Sequence, residues 1–160
     1  MKNRSVLVAA MALLAASALC ASAQALAIFA DQAFQPALQE ITPLFTEQTG
    51  FEVELSLGRS TILAERIIRG GIPADLFFPA SEESMQQLVE KGLVDVSLKR
   101  NILVMPSTEP PEEGIPPEPK YTSAAVLSSA TNRLQAMAFL EFLVSEPARA
   151  VFARQGFALP

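Results

Sequence analysis

With 160 residues, one cysteine, no histidine, and seventeen acidic against twelve basic side chains, this chain lacks the groups on which most protein catalysis runs. Ser-His-Asp and Cys-His nucleophile systems and most zinc sites are excluded, and a net charge of −5 argues against nucleic acid and anionic membranes as partners. Carboxylate and lysine chemistry remain, but the carboxylates lie mostly on predicted helix surfaces.

The chain begins Met1, Lys2, Asn3, Arg4, runs through apolar and small residues from Val6 to Leu19, and reaches Ala21-Ser22-Ala23. A basic start, a short apolar stretch and an A-x-A site predict a secretory signal over residues 1–23 and a periplasmic or secreted location. The apolar run is shorter than the roughly 20 residues a spanning helix needs. Cys20 raises lipid attachment as the minor reading, although Leu19 stands where bacterial lipoprotein signals usually carry Gly, Ala or Ser. Removing the signal takes Lys2, Arg4 and the sole thiol with it, which leaves a net charge of −7.

Residues 24–160 have the size of one domain. Leu26–Phe29 is a short apolar run suited to a buried strand. Phe34, Leu38, Ile41 and Phe45 then recur at helical spacing, with Pro36 in the first turn and Gly50 at the close, while Pro43 predicts a kink or a break. Val53, Leu55 and Leu57 alternate as a second strand ending at Gly58. A helix follows from a Ser60 cap to Arg69, with Leu63 and Ile67 inward and Gly70-Gly71 as its stop.

Leu76–Phe78 reads as a third strand behind Pro73-Ala74-Asp75, and Met85, Leu88 and Val89 mark a helix stopped by Gly92. Asn101–Met105 and Ala124–Leu127 are further strands. Between them Pro106–Pro119 holds six of the twelve prolines and four glutamates, a composition that predicts an extended linker. Leu134, Met137, Leu140 and Val144 stripe one closing helix; Ser145 and Pro147 open another carrying Ala148, Val151 and Phe152. Alternating strands and helices predict an α/β fold with a mostly parallel sheet and helices on both faces.

In such a sheet the turns Asp31–Phe34 and Gly58–Thr61 lie at strand carboxyl ends, where ligands usually bind. Helix starts there present free N–H groups and a positive dipole end, so an acidic protein can hold an oxyanion without a basic side chain. Ser60 reads either as an N-cap or as a hydroxyl donor, and Arg59 as solvated or as added charge. Asp31 and Asp75, each near a predicted strand, read as turn or capping residues in preference to a catalytic pair.

From Ala27 to Ala80, three blocks carry a specific resemblance: Phe29-Ala30 through Gln39, Ser56–Ile67 around "RSTILAERI", and "PADLFFPA" at Pro73–Ala80. They resemble the first lobe of the periplasmic molybdate-binding proteins of ABC importers. "NILVMP" at Asn101–Pro106 is similar to the strand that leaves that lobe, "YTSAAVL" at Tyr121–Leu127 to the strand that returns, and Ala136–Phe157 to the closing helices. The resemblance implies a single periplasmic-binding-protein-like lobe made of residues 24–106 and 120–160. Residues 107–119 stand where the family inserts its second lobe.

It also implies an oxyanion site at Ala33, Phe34, Ser60 and Thr61, a molybdate- or tungstate-like ligand and an ABC permease as partners, and no cofactor, metal site or enzymatic activity. Ser60 matches one of the family's two ligand serines, whereas Ala33 stands at the other. Tyr121, the only tyrosine, does not match the tyrosine of the family's second lobe. The expected function is therefore extracytoplasmic oxyanion binding of weak or lost affinity; the alternatives are an interaction module without a small ligand and a degenerate relic. Intact-mass measurement of the secreted protein should give Gln24 as the first residue, or Leu26 if cleavage follows Ala25. A lipid-modified Cys20 at the mature terminus would overturn the signal assignment.

Overall fold

A computed structural model describes residues 24–105 and 120–160; the predicted signal at 1–23 and the Pro/Glu-rich linker lie outside these described residues. Five strands form one sheet in the order β2-β1-β3-β5-β4. In chain order these are β1 (Leu26–Asp31), β2 (Val53–Gly58), β3 (Leu76–Phe78), β4 (Val94–Met105) and β5 (Lys120–Leu127). A 3-10 turn, Gln32–Phe34, leads from β1 into helix α1 (Gln35–Thr49). Helices α2 (Ser60–Arg69), α3 (Glu82–Glu90), α4 (Arg133–Leu143) and α5 (Glu146–Arg154) complete the fold.

Strand β1 pairs in parallel with β2 on one side and β3 on the other. Strand β5 runs antiparallel to both β3 and β4. The fold is α/β as expected, but the sheet is mixed: the parallel character belongs to its β2-β1-β3 half. The physical reason is the return of the chain, since β5 re-enters between β3 and β4 in the opposite direction. The expected neighbours Asn101 and Ala124 do meet, with Arg100 opposite Ala124 and Asn101 opposite Ser123.

Alternation along the strands divides the core between the two sheet faces. Leu26, Ile28, Ala30, Leu76 and Phe78 join α1, α4 and α5 on one face, while Phe29, Phe77, Ala125 and Leu127 join α2 and α3 on the other. Fully burying each large apolar side chain contributes roughly 1.5–3 kcal/mol. Phe45 also meets Phe139 and Phe142 edge-on, at centroid distances of 5.0 and 5.5 Å, clasping α1 to α4.

Two local expectations are corrected here. Pro43 does not divide α1, which continues to Thr49 and ends at Gly50 in the left-handed conformation (φ 75°). The proline removes one N–H from the ladder, yet Ile41 and Phe45 on either side are completely buried, so packing holds the helix through it. In α4 the predicted stripe fails at its first residue: Leu134 is 79% exposed, whereas Leu140 is buried, Met137 and Val144 pack against the core, and Ala136, Phe139, Phe142 and Leu143 also face inward. This helix is apolar around much of its circumference, and the large phenylalanines select the buried side.

Asp75 is 2% exposed and precedes β3, level with Ala27 of β1. Its Oδ2 accepts the Ala27 N–H at 3.0 Å and the Asn132 Nδ2–H at 2.9 Å, and its Oδ1 accepts the Asn132 backbone N–H at 2.9 Å. One buried carboxylate thus ties β1 to the residue that opens α4. Across the surface, Ser97 and Arg133 donate to Asp95 and hold its carboxyl well below the ordinary range, at about 2.

Because β5 lies between β3 and β4, its loss strips β4 of its partner and removes the helices that cover one face. A chain ending at Pro106 should lack a cooperative thermal transition by circular dichroism. A melt unchanged from that of the full chain would mean that residues 120–160 do not belong to the core.

Candidate oxyanion site

In-register pairing decides which turns meet. Asp31 lies opposite Gly58, and Ala30 lies opposite Phe78, so the carboxyl ends of β1, β2 and β3 are side by side. Three segments converge there: Asp31–Phe34 after β1, Arg59–Thr61 after β2, and Ala80 after β3.

Ser60 is the first residue of α2, with Arg59 at the cap position, and it makes no side-chain cap bond to its own helix. The reading of Ser60 as an N-cap is corrected accordingly. Its hydroxyl points back to β1 and donates to Asp31 Oδ2 at 2.5 Å, while its oxygen accepts the Ala80 N–H at 2.9 Å. The Ser60 N–H donates to the same Oδ2 at 2.8 Å, and the Ala33 N–H donates to Asp31 Oδ1 at 2.9 Å. Ser60 is 5% exposed. Three donors from two helix-start segments therefore converge on the two oxygens of one carboxylate, in the geometry that charged hydrogen bonds favour.

The sequence-predicted residues divide into two groups. Ser60 and the Ala33 N–H are brought together. Phe34 turns its ring away into the core, where it is buried and stacks on Phe78 with centroids 4.3 Å apart and 12° between planes. Thr61 is exposed on the next position of α2, and Arg59 is exposed beside Ser60. Sequence reasoning read Asp31 as a turn or capping residue, which its bond from the Ala33 N–H bears out, but missed its contacts with Ser60 and the bond from the Ala80 N–H to Ser60. The position of Asp31 as the last residue of β1 was the available signal, but its partner lies 29 residues away in sequence.

Asp31 and Asp75 do not form a catalytic pair. They lie at opposite ends of the sheet, four residues apart in register and so separated by about 13 Å at roughly 3.3 Å per residue. A cleft of about 210 Å³ beside Asp75, lined also by Glu54, Ser56 and Asn132, opens at the amino ends of the strands, away from Ser60.

The family model for bacterial extracellular solute-binding proteins matches residues 26–109 and 105–158. The chain belongs to this family. The Molybdate-binding protein ModA of Escherichia coli (strain K12) is 34% identical over 76 residues, which is 48% of this chain and 29% of that protein, so the chain spans under a third of that relative's length. Among solved structures, the substrate-binding domain of a putative molybdenum ABC transporter from Clostridium difficile superposes with a TM-score of 0.73 at 14% identity, covering 85% of this chain and 99% of that one. The periplasmic molybdate-binding protein of Azotobacter vinelandii gives 0.72 at 16%, covering 84% and 99%. These structural likenesses show a fold of periplasmic-binding-protein type.

The contact of Asp31 with three converging donors also has a structural role. Ser60→Ala removes the hydroxyl that donates to Asp31 and accepts from Ala80. It should lower unfolding stability by about 1–3 kcal/mol in a urea titration, with the slope unchanged. An unaltered midpoint would mean that the Ser60 bridge contributes nothing net.

Proposed function

We propose that this protein is an extracytoplasmic solute-binding component related to molybdate import, acting as a single lobe that takes a tetrahedral oxyanion weakly and serves an ABC permease. The observation that supports this reading is the convergence of the Ser60 N–H, the Ser60 hydroxyl and the Ala33 N–H on two carboxylate oxygens. Donors able to satisfy a carboxylate are of the right kind to satisfy two oxygens of molybdate, tungstate or sulfate, with Phe34 and Thr61 adding backbone donors and Arg59 adding positive charge at the rim. The family relationship supplies the ligand class, and residues 107–119 stand in this reading for a second lobe.

Weak affinity follows from physics. Donors on one side only leave the bound anion facing water, where hydration competes with each bond, whereas two-lobed proteins exclude water by hinge closure. At Ala33 a hydroxyl is also absent, and a hydrogen bond to a charged group contributes about 1.5–3 kcal/mol. The self-occupied donors favour a second reading, in which the lobe is kept as an interaction module without a small ligand.

Calorimetry of the secreted protein with molybdate, tungstate and sulfate separates the two. Weak binding of at least one anion is expected, and Ala33→Ser should strengthen it by about one to two powers of ten. Silence from both proteins at about millimolar anion would overturn the reading of the native chain as a working binding protein, since an affinity below that range amounts to less than about 4 kcal/mol.

A further inference from the structure

The Asp31 carboxylate does more than its local position requires. Capping the 3-10 turn needs one acceptor, and Oδ1 supplies it to the Ala33 N–H. Oδ2 takes two further donors from Ser60, across the strand pair and 29 residues away. The three donors that converge at this site, the Ser60 N–H, the Ser60 hydroxyl and the Ala33 N–H, are thereby engaged with an anion that the chain itself provides.

We infer that Asp31 is a tethered internal anion that occupies the oxyanion site and competes with external oxyanions for its donors. The inference rests on the oxyanion reading of these donors. A fully deprotonated divalent oxyanion such as molybdate or sulfate meets two obstacles: its donors are taken, and it must approach a like charge at close range, which disfavours both charges together. Entry requires the Asp31 side chain to leave Ser60 and Ala33. The carboxylate competes intramolecularly, at the high effective concentration that a tether confers on a group already in place. The site is therefore closed to divalent oxyanions in its resting arrangement and opens when the Asp31 side chain is displaced.

The same contacts explain why Ser60 is nearly buried with its hydroxyl doubly used. Its oxygen holds the Ala80 N–H from the β3 turn while its proton is given to Asp31. Removing the Asp31 side chain frees the Ser60 N–H, the Ser60 hydroxyl and the Ala33 N–H, and it leaves the Ala80 contact in place.

The test is calorimetry of the secreted protein and its variants with sodium molybdate and sodium sulfate, with thermal melts confirming the fold. Asp31→Ala should bind molybdate about tenfold tighter than the native chain or better, since each freed donor to a charged ligand contributes at that level. Asp31→Ala/Ser60→Ala should lose the gain. If Asp31→Ala fails to fold, Asp31→Asn removes the charge while keeping an amide oxygen to accept, and a smaller gain in the same direction is expected. Binding by Asp31→Ala where the native chain is silent supports the internal anion, and it shows that the native chain is held closed. Native binding that Asp31→Ala leaves equal or weakens overturns the inference and leaves the proposed function standing. Silence from every folded variant overturns both.

Discussion

Parallel pairing of β1 with β2 on one edge and β3 on the other is the constraint on which the rest of this structure depends. It sets Asp31 opposite Gly58 and Ala30 opposite Phe78, so three chain turns emerge at one end of the sheet within hydrogen-bond reach of each other. The same pairing sends α1 to one face and α2 with α3 to the other, each covering its own part of the core. Helix starts, whose first N–H groups find no partner within the helix, are consequently concentrated at the carboxyl ends, where sheets of this kind usually bind ligands.

Two carboxylates at opposite ends of β1 hold that arrangement, and their environments differ. Asp75 is buried and accepts three N–H donors from β1 and the opening of α4, a full set of partners that offsets the cost of burying its charge. Removing one partner would leave the charge uncompensated. Asp31 also accepts three donors, but it stands at the solvent boundary, half-buried, where its side chain has water available as an alternative. One contact is a fixed structural tie, whereas the other is, in the inference drawn above, the one that would exchange with an external anion.

This contrast bears on the relation between family membership and activity. A solute-binding fold brings donors to one place, but what those donors hold depends on the side chains that share the site with them. Here one residue at the end of β1 places a negative charge among them. The acidic character of the chain, noted first as an argument against nucleic acid, has its sharpest consequence at this one position.

The sequence by itself determined most of the local structure and the limits on chemistry. Helical spacing, glycine stops after α1, α2 and α3, and short apolar strands are all short-range signals. The absence of histidine excluded whole classes of mechanism, and the blocks around Ser60 and Pro73 pointed to the family. Only the tertiary structure decided that the sheet is mixed, that α4 turns Leu134 outward, that Ser60 is a bridge to β1 with no capping bond to its own helix, and that Asp31 fills the candidate site. Each of these depends on partners brought together from distant segments, such as Asp31 with Ser60 at a separation of 29 residues and Asp75 with Asn132 at 57. A local window reads propensity and periodicity; it cannot read which donor a carboxylate will find once strands have paired, because that choice is made by register and packing across the whole domain.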